Sequence, residues 1–366
     1  MTGDIISPLV KEGWTGPGRR DGKILPITPA DDALHIEVGK RNNYEWWYFD
    51  ARFNEYSLVL FFYAAYPNPG PNAGKIGVEL VLLRPDGRKT QVFVPYKKQD
   101  FAASRENADV KIGDNWLKVD HSKDELPVYT IHAAEGDLVF DLTYNAQVKG
   151  WMPGTGKSEF GNMGYFAWVV PFARASVEGT VVDGDADGNG KIEEIQVQGV
   201  GYHDHNWLNF PFQRIIDYWM WGRVYSENYT VSYAYIKTNK KMENHAVKVL
   251  MLAKGKDVIL STGDFDFITE EFEYNDRAKH SFPHYVNITV PGELEMTLKV
   301  EKILEAEDML KSFPKILEIL AKYLLSLKPG YFRLQSAFEV AVHQNGTTDK
   351  EVGSTLHEIV LFKPAT

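Results

Sequence analysis

No cysteine occurs in the sequence, which excludes disulfides and thiolate metal sites. There is no Lys/Arg-rich run, and 40 basic residues face 50 acidic ones for a net charge of −10. Nucleic acid is therefore not an expected partner, because phosphate binding rests on basic surface. No apolar run reaches the length of a membrane span, and the first residues lack a basic-then-apolar signal pattern. The expectation is a cytoplasmic protein, with attachment to a membrane surface left open. Phosphate loops, nucleophile elbows and dinucleotide fingerprints are also missing.

Aromatic residues are abundant: 9 Trp, 19 Tyr and 20 Phe. They favour strands and line apolar pockets. The first 30 or so residues, rich in Gly, Pro and charge, read as an irregular arm. Short apolar runs bounded by turn signals follow. Residues 75–84 and 90–96 flank the turn Pro85-Asp86-Gly87-Arg88, and residues 129–133 and 138–144 flank Ala134-Glu135-Gly136-Asp137. The fold class is all-β, with antiparallel sandwiches or barrels. At 366 residues about two domains are expected, divided as 1–212 and 213–366. Residues 302–327 break the pattern, with helical spacing and an apolar stripe through Ile316, Leu317, Leu320, Tyr323, Leu324 and Leu327. That spacing predicts a helical insert covering a barrel, or a lid or interfacial helix admitting lipid-like molecules.

The richest segment is Gly201-Tyr202-His203-Asp204-His205-Asn206-Trp207, which continues a strand-like run. In an extended chain His203, His205 and Trp207 share one face, and Asp204 and Asn206 the other. Imidazole and carboxyl beside an indole wall suit proton transfer; they equally suit a structural hydrogen-bond cluster.

This segment, with Glu45-Trp46-Trp47-Tyr48-Phe49-Asp50-Ala51 upstream, resembles the carotenoid 1,2-hydratase (hydroxyneurosporene synthase) family. That lipocalin-like superfamily also holds bacterial attachment-type lipocalin proteins and fungal decalin-forming Diels–Alderases. Tyr165-Phe166-Ala167-Trp168 with Pro171, Ala175-Ser176-Val177-Glu178-Gly179-Thr180, and Trp219-Met220-Trp221-Gly222-Arg223 extend the resemblance in the same order. It implies two lipocalin-like β domains and an apolar pocket for a hydrophobic isoprenoid or polyene, with no cofactor for the chemistry. It also implies a catalytic set of a His and a Trp two apart, matched by His205 and Trp207, then a Tyr matched by Tyr233. The family's Asp position falls on Tyr235, so the chain departs from the hydratase pattern there.

Hydration or cyclisation at an alkene needs an acid near one carbon and a stabilised cation at the other. Aromatic faces attract a cation by about 0.5–2 kcal/mol each. His205, Asp204, Trp207 and Tyr233 are the candidate catalytic residues, with His203, Trp219, Trp221, Tyr235, Trp47 and Glu45 as candidate pocket walls. A pericyclic reaction needs only a folded substrate in an apolar shape, and a non-catalytic carrier needs the same walls without a proton donor.

Residues 185–196 match most of a calcium loop. Asp185, Asp187, Asn189, the Lys191 carbonyl and Glu193 are the candidate ligands of a structural calcium. Gln196 replaces the usual bidentate Glu, and Asp, Asn and Gly also suit a plain hairpin tip. His203 and His205 could chelate a metal, but no third ligand is visible in the sequence.

Overall fold

Runs of β-branched and aromatic residues draw the chain into long antiparallel strands, seen in a computed structural model that describes residues 6–68, 70–122, 126–309 and 328–362. Among the described residues the strands form two sheets, one of thirteen strands and one of nine. The first follows the order Lys89–Tyr96, Ile76–Leu83, Tyr56–Ala65, Tyr44–Phe53, Glu193–Leu208, Tyr165–Asp183, Leu138–Ala146 and Val128–Glu135, continuing into shorter strands. The second begins at Ile216–Tyr225 and runs through Thr347–Leu361, Gly330–Gln344 and Leu294–Asp308 on one side, and Tyr229–Thr238 and Ala246–Lys254 on the other. No described helix is long and apolar enough to cross a membrane.

The first sheet curls nearly shut. Tyr96 on one flank donates its hydroxyl proton to Glu135 on the other. Its interior is filled by Trp47, Phe49, Phe62, Phe140, Tyr144 and Phe172. Each fully buried side chain of this size contributes roughly 1.5–3 kcal/mol through removal of apolar surface from water. A separate apolar layer joins the two sheets face to face, through Tyr48, Val59, Trp168 and Tyr202 of the first and Ala234, Val249 and Met251 of the second. The end of the strand Glu193–Leu208 is therefore buried on both faces, from Gly201 to Leu208. Pro171, which donates no ladder hydrogen bond, lies where the strand Tyr165–Asp183 shifts register between Val169 and Phe172.

The arm, irregular apart from Val10–Glu12 and a 3-10 turn at Pro29–Asp32, reaches the second sheet. Glu12 accepts from Arg19 at 2.6 Å and lies 2.8 Å from His245 Nε2, while Ser261 donates to Asp21 at 2.6 Å.

The helical insert needs correction. Residues 302–308 complete the strand Leu294–Asp308, paired with Gly330–Gln344, and the remainder of the expected helix, 310–327, lies outside the described residues. Strand alternation wins over helical spacing at 305–307. Ala306 packs into apolar core on one face, while Glu305 and Glu307 on the other meet Lys89 at 2.7 and 2.9 Å.

Candidate functional site

Two motifs far apart in sequence are neighbours in the first sheet. His203 pairs across the ladder with Phe49, Asp204 with Tyr48, His205 with Trp47, and Trp207 with Glu45. Because the strand is buried on both sides, its alternation sorts the motif into two compartments.

His203, His205 and Trp207 face the interior of the first barrel. His205 is completely buried between two carboxylates, with Nε2 2.9 Å from Glu45 Oε1 and Nδ1 3.2 Å from Asp32 Oδ1. Burial alone would lower its pKa; the hydrogen bonds and charges of Asp32 and Glu45 outweigh burial and push it up to about 9. His203 donates Nδ1–H to the Tyr48 carbonyl at 2.9 Å and places Nε2 3.0 Å from Asp32 Oδ2. Tyr129 donates to the same Asp32 oxygen at 2.7 Å, and Trp47 donates to the Asp32 carbonyl at 3.0 Å. Burial opposes ionisation of Asp32, yet the two histidines hold its carboxyl well below the usual range. Glu45 accepts the amides of His35 and Ile36, each at 2.8 Å. Despite burial it too is held low, chiefly by His205 and His35. Trp207 stacks on His35 at 3.6 Å, and Trp47 on His205 at 4.5 Å. Together these contacts clasp residues 32–36 of the arm across the barrel. The arrangement places one imidazole between two carboxylates, in hydrogen-bond contact with Glu45 and in ion-pair contact with Asp32.

Asp204 and Asn206 face the opposite way, into a cavity of about 350 Å³ between the two sheets. Asp204 accepts from Trp168 Nε1 at 3.0 Å, Tyr202 Oη at 3.0 Å and Asn206 Nδ2 at 2.7 Å. Burial dominates these stabilising bonds and pushes the carboxyl up to about 6. The roof of the cavity carries the cross-strand row Asp204, Tyr48, Phe61 and Glu79. Beside it runs the row Trp168, Asn206, Trp46 and Tyr63.

Two rows of the second sheet form the floor. One is Ala234, Trp221, Glu358, Arg333 and Glu305; the other is Ile236, Trp219, Val360, Tyr331 and Glu307. The cavity is thus amphipathic. Aromatic and aliphatic groups line the part around Trp168, Phe166, Phe212 and Trp219, while Glu79, Lys89, Gln91, Glu305 and Glu307 line the other part. Burial raises the carboxyl pKa of both Glu79 and Glu358.

The residues singled out from the sequence therefore do not make one site. Asp204, Trp219 and Trp221 line the cavity. His203, His205, Trp207, Trp47 and Glu45 belong to the clasp. Tyr233 and Tyr235 sit on the face of the strand Tyr229–Thr238 opposite Ala234 and Ile236, Tyr233 within the second sheet's own core and Tyr235 stacked on Phe267 at 4.5 Å. The cavity residues not singled out include Trp46, Tyr48, Trp168, Arg333 and Glu358. Trp46 and Tyr48 had a signal, since they alternate with Trp47 and Phe49 along the same strand.

The acidic tip forms a turn. Asp187 Oδ1 accepts the amides of Asn189 and Lys191, at 2.8 and 3.1 Å, and Asp185 Oδ1 accepts that of Gly190 at 2.8 Å. The Arg88 guanidinium donates to the carbonyls of Asp185 and Ala186, and Glu193 lies 3.4 Å from Lys191 Nζ. One carboxylate oxygen of each of Asp185 and Asp187 is thus engaged by backbone N–H groups. Among the described His, Asp and Glu side chains, the one group of three close enough for a single ion is His35, Glu45 and His205, with ligand atoms within 4.8 Å of one another. A cation there competes with the His205 proton that already bridges to Glu45.

Residues 78–362 match the model of the Svf1 family. A 103-residue stretch is 33% identical to a hydroxyneurosporene dehydrogenase of Chlorobaculum tepidum, covering 28% of this chain and 26% of that relative. The chain thus spans about a quarter of that relative's length. Similar solved structures include CghA with Sch210972 (TM-score 0.59, 12% identity, 97% of this chain and 99% of that one). Kievitone hydratase from Nectria haematococca is another (TM-score 0.57, 15% identity, 96% and 98%), as is an AttH from Nitrosomonas europaea (TM-score 0.56, 16% identity, 92% and 98%). TM-scores above 0.5 over nearly the full length of each chain show a shared, lipocalin-like fold.

Proposed function

The chain belongs to the Svf1 family, and from its cavity we propose that it binds a mostly apolar isoprenoid or polyene between its two sheets and catalyses acid-assisted hydration or cyclisation at a double bond. The observation that carries this reading is Asp204, a carboxyl pushed up to about 6 in an aromatic-lined cavity. Its proton passes to one alkene carbon, leaving a cation at the other. The faces of Trp46, Tyr48 and Trp221 stabilise that cation, each by about 0.5–2 kcal/mol. Water then forms the new C–O bond and returns a proton to the Asp204 carboxylate; in a cyclisation a second π bond attacks instead, and loss of a neighbouring proton restores the acid. Besides the substrate, the steps draw on protein groups and, for hydration, one water. A structural neighbour that is by name a hydratase supports addition of water as the reaction class.

This reading moves the chemistry from His205, Trp207 and Tyr233 to Asp204 and the cavity walls. The test is Asp204→Asn against His205→Gln. Asp204→Asn is expected to abolish turnover of a converted polyene while leaving its affinity within a few-fold. Turnover persisting in Asp204→Asn overturns the acid. A second reading is favoured by the three donors to Asp204, which also suit a structural carboxylate. The protein is then a carrier, or a pericyclase of Diels–Alderase type that folds its substrate against Trp219 and Trp221, and every polyene that binds a carrier is recovered unchanged.

A further inference from the structure

Among the described residues, the floor of the cavity contains two buried N–H donors without acceptors. Arg333 is only 2% exposed and lines the cavity. Its nearest carboxylates are Glu305, 3.8 Å from Nη1, and Glu358, 3.8 Å from Nε. Both lie beyond hydrogen-bond reach, and Nε finds no partner among the described residues. Glu305 is already engaged by Lys89 at 2.7 Å. The second donor is Trp221 Nε1, also buried without an acceptor among the described residues. The two belong to one cross-strand row, separated by Glu358: Trp221 pairs with Glu358, and Glu358 with Arg333. All three side chains line the cavity.

Buried N–H groups left without acceptors lose their hydration with nothing in return, at a greater cost when the group is charged. Proteins rarely leave such groups unpaired unless something else supplies the acceptor. Here both residues line one enclosed space already suited to an apolar molecule. Glu358 between them does not satisfy either. Its carboxyl is raised by burial, and its contact with Arg333 is long.

We propose that Arg333 and Trp221 form an oxygen-recognising subsite in the cavity floor, which binds a carboxylate or carbonyl oxygen on an otherwise apolar ligand. The proposal rests on the reading of the cavity as the ligand site, and it specifies the ligand class. The molecule is amphipathic: its hydrocarbon part lies against the aromatic walls near Trp168 and Trp219, and its oxygen meets the two donors. A planar guanidinium suits a two-oxygen head by a forked pair of bonds, and a single carbonyl by one. Orientation follows, because an oxygen held at Arg333 fixes which part of the chain reaches Asp204.

Three fluorescent probes test this: parinaric acid, its methyl ester, and the matching tetraene hydrocarbon with no oxygen. The full-length protein is titrated with each. It is expected to bind the acid or the ester at least tenfold more tightly than the hydrocarbon. A preference for the acid alone identifies a carboxylate site, and an equal preference identifies a carbonyl site. Arg333→Met and Trp221→Phe are each expected to remove most of that preference, about tenfold for Arg333→Met, read as the ratio of oxygenated to hydrocarbon affinity within one variant so that any loss of apolar wall cancels. Melting curves establish that the variants fold. Should Arg333→Met fail to fold, Arg333→Lys keeps the charge, loses the planar fork, and is expected to lose most of the preference as well. Equal binding of oxygenated and hydrocarbon probes by the parent overturns the subsite, as does an equal loss for all three probes in folded variants. Failure of the parent to bind any of the three probes overturns the cavity reading itself, and this proposal with it.

Discussion

Asp204 and His205 are adjacent in the chain but open into different compartments. The Asp204 carboxyl lines the cavity between the sheets, whereas the His205 ring lies inside the first barrel between Asp32 and Glu45. One peptide bond separates the cavity carboxyl from the imidazole between Asp32 and Glu45. Their substitutions should therefore have unlike consequences.

His205→Gln is expected to lower stability by about 3–5 kcal/mol, the range for removing one partner of a buried ion pair. Probe affinity at the cavity should change by less than about twofold. Urea unfolding and a polyene titration on the same preparation measure both.

The clasp also sets a pH dependence. The folded-state pKa of His205, about 9, lies above its ordinary 6.5. Its contribution is fully present below about 6.5 and is lost as pH rises through about 9. Asp32 and Glu45 are lowered from 3.8 and 4.5. Their contributions are present above those ordinary values and are lost as pH falls through the lowered ones. The melting temperature is thus expected to decline from pH 7 to pH 9.5, and His205→Gln should flatten that decline.

Asp204 acts with the opposite sign to the clasp carboxylates. Its folded pKa, about 6, is raised from 3.8, so ionisation costs the folded state as pH rises through that interval. For the same reason the acid form, and turnover with it, is expected to fall about tenfold per pH unit above 6. A rate profile that stays flat to pH 8 disagrees with Asp204 as the donor.

Ala234 lies on the cavity floor beside Trp221. Ala234→Phe is expected to fill part of the space and reduce binding of a polyene probe about tenfold or more. Some loss of stability from overpacking, about 1–3 kcal/mol, accompanies it. Unchanged binding places the ligand elsewhere.

At the 185–193 tip, the side-chain oxygens of Asp185 and Asp187 cap backbone amides, and Arg88 caps the carbonyls of Asp185 and Ala186. Melting in millimolar calcium and in chelator is expected to agree within about 1 °C, since only a ligand bound by the folded state raises the midpoint.

The all-β fold was legible because its strands carry their own turn signals, as at Pro85-Asp86-Gly87-Arg88 between Ile76–Leu83 and Lys89–Tyr96. The two faces of His203 to Trp207 were legible too, from alternation alone. What those faces meet was not. Asp32 and His35 come from an arm with no periodicity, and they reach the motif only through the tertiary fold. Arg333 and Glu358 sit in strands whose sequences carry no motif, and their meeting depends on the register between Gly330–Gln344 and Thr347–Leu361. Residues 302–308, Lys-Ile-Leu-Glu-Ala-Glu-Asp, misled because they run without a turn signal into the helically spaced stripe at 316–327, and pairing with a neighbouring strand decided the outcome.

The most direct measurement is a carboxyl titration of Asp204 by 13C NMR, its signal assigned by loss in Asp204→Asn, with and without parinaric acid methyl ester. The account predicts a midpoint near 6 in the free protein and a clear displacement of that midpoint when the probe occupies the cavity. A midpoint near 4 that does not respond to a bound probe would contradict it.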